Sequence, residues 1–523
     1  MSEDFEFHME LIQGLLQPAV WPGSVTEVRH IETHISTVLL TGDYAYKIKK
    51  PVDLGFLDFS TLARRKHFCE EEIRLNGRLA PQIYLDVVPI TGTASQPCIG
   101  GDGVAIEYAV RMKQFEPDAL LSNHPDLLTV ERMDQLAQIV AAFHGSIALA
   151  NLNEPFGTAQ AIFAPMEENF AQICELLDSP NDQQRLDRLE CWSRAQLEFL
   201  QQLLTQRRTN GFIRECHGDM HLGNIALVDG EILIFDGIEF APGLRWIDTI
   251  SDIAFLIMDL QEKGRADLAQ RFLNSYLAIT GDYEGLSLLR FYQLYRAMVR
   301  AKVDVIRLQQ PDLSAIDKKT VLTDYRAYLA QAEGYTHNIE PALIITHGLS
   351  GSGKSTVVMS LLSALPVIQI RSDVERKRLA GLTADATSGS PLHQGIYHLQ
   401  VTEDTYRHLM KLATVIIKAG FVAIVDATFL KRCYRQSFHE CAHQLGVPFL
   451  ILDFQVPEEI LRERIDHRLA EGGDPSEANQ DVLDAQLMTQ EPLAVSEKAL
   501  YVRITPEKTD WTAEVVDYLQ GEF

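Results

Sequence analysis

The sequence predicts two successive units, an α+β unit of two lobes followed by an α/β unit built on a parallel sheet. Two observations carry that expectation. Early segments alternate apolar and polar residues and then give way to long stretches of 3.6-residue apolar period, whereas from Ala342 short apolar runs alternate with helical stretches. Each part also holds its own compact polar motif. The first has His217-Gly218-Asp219-Met220-His221-Leu222-Gly223-Asn224, and the second has Gly348-Leu349-Ser350-Gly351-Ser352-Gly353-Lys354-Ser355.

The first unit is expected to span residues 1–335, with a strand-rich lobe to about 112 and a helical lobe from 113 onward. A segment of helical period around Met9 to Leu16 opens it. Ile35 to Leu40 and Tyr44 to Lys50 then read as antiparallel strands across the turn Thr41-Gly42-Asp43. Leu62 to Leu79 reads as a helix with Phe68, Glu72, Leu75 and Leu79 on one face. Ile83 to Ile90 and Val104 to Arg111 are further strands, and Met133 to Ile147, Met166 to Leu177 and Arg185 to Arg207 are amphipathic helices. The polar stretch Ala332 to Pro341 is the expected linker.

The second unit is expected to span 341–523. Strands are predicted at Leu343 to Thr346, Val367 to Ile370, Val422 to Val425 and Phe449 to Phe454. Helices are predicted from Lys354, from Tyr397 to Ala419, from Arg435 and from Glu458. Short apolar strands between helices imply a parallel sheet covered on both faces.

At 523 residues and 46% hydrophobic content the chain has ample material for separate cores. A formal charge of −25 argues against a surface that coats nucleic acid or anionic membrane. From Pro341 onward there are 17 Lys/Arg and 24 Asp/Glu, against 47 and 72 in the whole chain, so most of the acidity precedes the second unit. Seven scattered cysteines, none spaced C-x-x-C, argue against a disulfide framework or zinc site and for a reducing compartment. The acidic start Met1-Ser2-Glu3-Asp4 is unlike a signal peptide, and no run approaches a membrane span, so a cytoplasmic location is expected.

In the second motif, which fits G-x-x-x-x-G-K-[ST], Gly348, Ser350, Gly351, Ser352 and Gly353 let backbone N–H groups converge on phosphate at the start of a helix. Lys354 would reach the β and γ phosphates, with Ser355 on Mg2+ and Thr356 beside it. Asp373 and Arg376 follow the second buried strand, where an Asp can take a hydroxyl proton and an Arg can hold an acidic group. Asp426 ends the third strand, placed to organise magnesium or the substrate hydroxyl. Arg462, Arg464 and Arg468 lie on a later helix, with Arg464 and Arg468 the pair expected to face the phosphoryl group.

The combination of P-loop, Ser372-Asp373-x-x-Arg376, Asp426-Ala427-Thr428 and the tail Asp474-Pro475-Ser476-Glu477-Ala478 through Gln486 to Gln490-Glu491-Pro492-Leu493 resembles one group of P-loop kinases. That group includes polynucleotide 5′-kinase, zeta toxin, chloramphenicol phosphotransferase and gluconate kinase. The resemblance implies Asp373 as general base and Arg376 as substrate anchor. It leaves the acceptor open among sugars, antibiotics and nucleic-acid ends.

In the first unit, Asp219, Asn224 and Asp236 have the spacing of a protein-kinase-type loop, in which the first orients an acceptor hydroxyl and the others hold magnesium. Ile225 to Val228 and Ile232 to Phe235 supply a hairpin with the turn Asp229-Gly230, and His217 reads as a brace. Lys47 is the expected phosphate lysine, with Lys49 on the same strand face as the alternative, and Glu72 is its helix partner. Met112 is an adenine-facing hinge candidate. Together these residues resemble the aminoglycoside and choline phosphotransferase family over roughly residues 30 to 300. The resemblance implies a two-lobed protein-kinase-like fold. Departures are the lack of a G-x-G-x-x-G loop, leaving Gly42, and Asp236-Gly237-Ile238-Glu239 in place of Asp-Phe-Gly, with Glu239 an extra metal or loop-anchoring carboxylate. Asp248 and Asp252 are expected to brace the loop, and Glu167, Glu168, Glu175 and Asp178 either attract a cationic acceptor or face solvent.

The expectation is a bifunctional ATP- and Mg2+-dependent phosphotransferase acting on hydroxyls of small molecules. Two alternatives stay open: a regulatory nucleotide switch with a non-phosphorylating kinase-like unit, and a nucleic-acid end kinase in the second unit, which would need a basic groove around Arg371, Arg376, Lys377 and Arg378.

Overall fold

The computed structural model describes residues 3–519 apart from 56, 311–312, 338–339, 363–364, 385, 387, 389–394, 396–397, 472–474, 498–499, 507 and 509–510. Tyr397 and Asp474 therefore lie outside the described residues. The chain forms two compact units. One comprises Met1–Thr129, Ala142–Asp259 and Tyr295–Arg326; the other comprises Val130–Ala141, Leu260–Leu294 and Ala327–Phe523.

The first unit has an α+β fold with a strand-rich part followed by a helix-rich part. Its larger sheet contains β1 (Arg29–Glu32), β2 (Ser36–Leu40), β3 (Tyr44–Lys49), β4 (Tyr84–Thr93), β5 (Gln96–Ile99) and β6 (Glu107–Lys113), in the order β1-β2-β3-β6-β4-β5. All of its pairings are antiparallel. One face packs on the Glu3–Leu15 helix and Trp21, through Leu11, Leu15, Leu39, Tyr46 and Ile48. The other packs on the Leu62–Asn76 helix through Cys69, Tyr84 and Val110. Side chains alternate along each strand, so the two clusters take different residues from the same strands. The helical part includes Ala159–Leu176 and Pro180–Thr209. Between them and the later helices come β7 (Ile213–Glu215), the hairpin β8 (Ile225–Val228) and β9 (Glu231–Ile234), and β10 (Trp246–Asp248). The hairpin turn has Asp229 at φ 52° and Gly230 at φ 85°, the two left-handed residues that a tight type I′ connection requires.

The second unit has a five-stranded sheet of β11 (Leu343–His347), β12 (Val367–Arg371), β13 (Val422–Asp426), β14 (Phe449–Phe454) and β15 (Tyr501–Ile504), ordered β12-β13-β11-β14-β15. Every pairing is parallel. This is an α/β P-loop fold, and β11, β13 and β14 are buried at every position, which is why they read as unbroken apolar runs. Ile344, Ile424, Leu450 and Leu452 pack beneath Val358 and Leu361 of the Lys354–Leu361 helix and Trp511 and Val515 of the Trp511–Leu519 helix.

One expected element differs. Ala332 to Thr336, read as linker from polarity, forms the end of the Ala315–Thr336 helix, where half-buried Glu333 and Thr336 supply that polarity. Among the described residues, no helix is long and apolar enough to cross a membrane.

Candidate functional site

In the first unit, β3 turns Lys47 and Lys49 to one side because strand side chains alternate. Both meet Glu72 of the Leu62–Asn76 helix. Lys47 Nζ lies 2.8 Å from Oε1 and Lys49 Nζ lies 2.7 Å from Oε2. Each lysine then takes a second carboxylate. Lys47 donates to Asp236 Oδ1 at 2.6 Å, and Lys49 donates to Glu239. The two lysines that sequence offered as alternatives thus share one glutamate, and Lys47 is the one on the Asp236 side. Burial opposes charge on Lys47, yet Asp236 and Glu72 raise its pKa well above the ordinary lysine value. Glu72, completely buried, would be pushed up by burial, but the two lysines hold it below the usual carboxylate range. Glu239 is itself buried against Lys49.

Asp236 has a left-handed backbone at φ 60°, a conformation that costs a non-glycine residue about 1–3 kcal/mol. Neighbours hold it there. Its N–H donates to the Tyr84 hydroxyl at 3.2 Å, and Gly237 N–H donates to Asn76 Oδ1 at 2.7 Å.

The His217–Asn224 loop is built on a buried acid. Asp252 accepts from His217 N at 3.1 Å and Gly218 N at 2.8 Å, and His144 Nε2 lies 3.1 Å away. Arg296 donates to Gly218 O at 2.9 Å and Ser251 O at 3.2 Å. His217 is buried, with Nε2 3.0 Å from Phe235 O. Asp219 stands at the partly open side. Asn224 Nδ2 donates to its carboxylate and to its main-chain oxygen, both at 3.0 Å, and His221 Nε2 lies 3.5 Å from Oδ2. Burial would raise the Asp219 pKa, but His221 beside it brings the carboxyl well below the usual range. Asp248 is occupied by Arg207 at 2.7 and 2.8 Å. Met112 lies on β6 opposite Ala45 and Tyr84, in the cluster that holds Val228, Leu233 and Phe235. Glu167 pairs with Arg194, and Glu168 accepts from Gln172.

In the second unit the loop between β11 and the Lys354–Leu361 helix carries Gly351 at φ 81° and Gly353 at φ 83°. A Cβ on Gly351 would come within 2.7 Å of Leu461 O, so the position also needs glycine for space. Gly348 N donates to Thr428 O at 3.1 Å. Lys354 folds across its own loop, donating to Leu349 O at 2.8 Å, Gly348 O at 3.1 Å and Ser352 Oγ at 3.3 Å. Burial lowers its pKa to about 8, although Asp426 and Asp373 pull upward. Ser355 Oγ donates to Asp426 Oδ2 at 2.6 Å, and Gln369 Nε2 donates to the same oxygen at 2.9 Å.

Gly351, Gly353, Lys354, Ser355 and Asp426 line a cavity of about 760 Å³ together with Ser350, Ser352, Thr356, Asp373, Arg376, Arg464 and Arg468. Arg376 Nη1 donates to Thr402 Oγ1 at 3.2 Å, and Arg468 Nη2 to Ala478 O at 2.6 Å. Arg462 instead pairs with Glu458 and Asp484 on the helix surface. Sequence reasoning missed Gln369, an isolated polar residue in an apolar strand, which was its signal. It also missed Tyr406, which lines the cavity, stacks on Tyr434 at 3.9 Å and accepts from Phe429 N at 3.3 Å. Phe429 is held left-handed at φ 46°. Arg296, one of five cations on the Leu286–Leu308 helix, was missed likewise.

The second unit has the P-loop and fold of an ATP-dependent kinase. A family described as "AAA domain" matches residues 343–493. Among solved structures, the amicoumacin kinase hAmiN in complex with AMP-PNP, Ca2+ and Ami aligns at 15% identity over 62% of this chain and 93% of that chain, with a TM-score of 0.39. The Mycobacterium tuberculosis APS kinase CysC in complex with AMPPNP and APS aligns at 19% identity over 35% of this chain and 99% of that chain, with a TM-score of 0.27. The uncharacterized protein Rv2004c of Mycobacterium tuberculosis is 30% identical over 410 residues, 77% of this chain and 80% of the relative. This chain belongs to the same family as Rv2004c and carries an AAA domain of the P-loop kinase type in its C-terminal part.

Proposed function

We propose that the protein is a bifunctional phosphotransferase in which each unit moves the γ-phosphoryl group of Mg-ATP to a hydroxyl of a small molecule. One observation supports both halves of this reading: in each unit a half-buried lysine stands with a metal-type carboxylate and with a further carboxylate suited to an acceptor. Lys47, Asp236 and Asp219 form the first set, and Lys354, Asp426 and Asp373 the second. Asn224 and Asp236 in one site, and Ser355 and Asp426 in the other, offer the hard oxygen ligands that suit Mg2+. The metal, when bound, would neutralise phosphate charge. Asp219 or Asp373 takes the acceptor's hydroxyl proton as the new O–P bond forms and the bond to ADP breaks. Met112 would face adenine in the first site, and Arg376, Arg464 and Arg468 would face acceptor and phosphoryl oxygens in the second. The first activity is assigned to residues 1–335 and the second to 341–523. Free cysteines throughout the described residues agree with a cytoplasmic location.

The test is transfer from labelled Mg-ATP to a pool of cytoplasmic metabolites, with and without RNA, by full-length wild type, Asp219→Ala, Lys354→Ala and the double variant. Two products are expected. Asp219→Ala should remove one by about 10²–10⁴-fold while nucleotide binding persists, and Lys354→Ala should remove the other. Undiminished transfer by the double variant would reject both sites, and products confined to RNA ends would reject the small-molecule reading of the second unit.

A further inference from the structure

The β12 strand lies at the edge of its sheet, with β13 on one side only. Its other side carries main-chain groups that a neighbouring strand would normally satisfy. Here a side chain does so. Asn274, on the Ala266–Thr280 helix of the same compact unit, donates from Nδ2 to Val367 O at 3.0 Å and accepts from Gln369 N at Oδ1 at 2.8 Å. Asn274 is 5% exposed, and its carboxamide reproduces the two ladder bonds of a neighbouring strand.

The residue gripped at its backbone is the one whose side chain reaches the metal-type carboxylate, since Gln369 Nε2 donates to Asp426 Oδ2. The chain of contact is therefore Asn274, Gln369, Asp426, Ser355. The same upstream segment also grips the helix that follows β12. Arg378 donates to Ala278 O and to Ile279 O at 3.1 Å, and the Tyr283 hydroxyl donates to Glu375 at 3.4 Å. Gly281, at φ 73°, ends the helix where any Cβ would meet Arg378 Nη1 at 2.9 Å. Both grips fall on the Ser372–Leu379 helix that carries Asp373 and Arg376.

We infer that Asn274 is a positioning residue of the P-loop site, setting Gln369 so that Asp426 is fixed for the metal ion of the bound nucleotide. This rests on the reading of Asp426 as a metal-organising residue. Hydrogen-bond partners behind a metal ligand commonly tune metal affinity by one to two orders of magnitude, and Asn274 acts one step further back.

The test titrates Mg2+ against binding of a fluorescent ATP analogue to the full chain, in a Lys47→Met background that silences the first site. Asn274→Leu should raise the half-saturating Mg2+ concentration by roughly 3- to 10-fold, leave metal-free analogue binding unchanged, and speed hydrogen exchange at the Gln369 amide. Gln369→Leu should shift Mg2+ in the same sense, and the double variant should shift no further than the larger single, because the two act in series. Leu273→Ala strips apolar burial from the same helix without touching the carboxamide, so it should lower Tm and leave the Mg2+ midpoint in place. An unshifted midpoint in folded Asn274→Leu, or the same shift in Leu273→Ala, would overturn the inference. Should Asn274→Leu not fold, Asn274→Ser, too short to reach both partners, carries the same expectation. If the unsubstituted site binds nucleotide with no dependence on Mg2+, the reading of Asp426 fails first.

Discussion

Lys47 and Lys354 are both proposed here to meet phosphate, but the protein prepares them in opposite ways. Lys47 is clasped between Asp236 and Glu72, and its pKa is raised. Lys354 rests on neutral carbonyls and a hydroxyl, and burial brings its pKa down to about 8. A nucleotide arriving at the first site must share a lysine whose charge is already balanced. At the second it supplies the balancing charge itself. The first arrangement favours a fixed geometry with little dependence on conditions, and the second favours a site that changes when phosphate arrives.

The largest effect that would break this contrast is Glu72→Gln. Removing one partner of a buried ion pair typically costs about 3–5 kcal/mol, and here two buried lysines lose their common carboxylate. Chemical denaturation should show a loss of that size. A change under about 1 kcal/mol, the range of an exposed pair, would mean the cluster is not acting as a buried one. The difference should also shrink in acid. Glu72 has its folded pKa below the unfolded value, so its contribution is complete above about pH 5 and fades as pH falls through the folded pKa.

A middle-sized effect concerns pH. Burial brings the Lys354 pKa down to about 8, and a bound phosphate would favour its charged form. Nucleotide affinity at the P-loop should hold steady up to about pH 8 and then fall by up to about tenfold per pH unit, because binding must first take up a proton. Lys47, raised above the ordinary lysine value, should leave the first site flat over that window. Titrations from pH 7 to 10, with Lys47→Met isolating one site and Lys354→Ala the other, would separate the two profiles. Parallel profiles would remove the contrast.

The smallest effect sharpens it. Tyr406→Phe deletes the acceptor for Phe429 N–H and leaves the aromatic stack, and should cost about 1 kcal/mol, read as a modest loss of Tm with a rise in acceptor KM. An unchanged KM would assign Tyr406 to packing alone.

The sequence revealed these sites unequally. A P-loop is contiguous, its glycines and lysine acting through local backbone, so Gly348 to Ser355 stands out in one dimension. Glu72 was visible as a carboxylate on an apolar face, but its sharing between Lys47 and Lys49 depends on strand and helix meeting in space. Asn274 gave no signal. An asparagine in an amphipathic helix looks like an ordinary polar residue until the strand edge it completes is known. Among the strands, β1 was missed because all four of its residues are exposed and show no alternation, and β5 because a proline interrupts a run of only four. β15 is equally short, and its helix follows only at Trp511.

Asn274 also bears on how such a chain can be cut and recombined. A fragment beginning at Pro341 would carry the whole P-loop motif, yet it would leave Val367 O and Gln369 N–H open along a flat apolar strand. Exposed edges of that kind recruit strands from other copies. Such a fragment would tend to self-associate, and a gene rearrangement that moved it elsewhere would inherit a sticky edge. The heritable unit is therefore larger than the motif, and the helix around Asn274 has to travel with it.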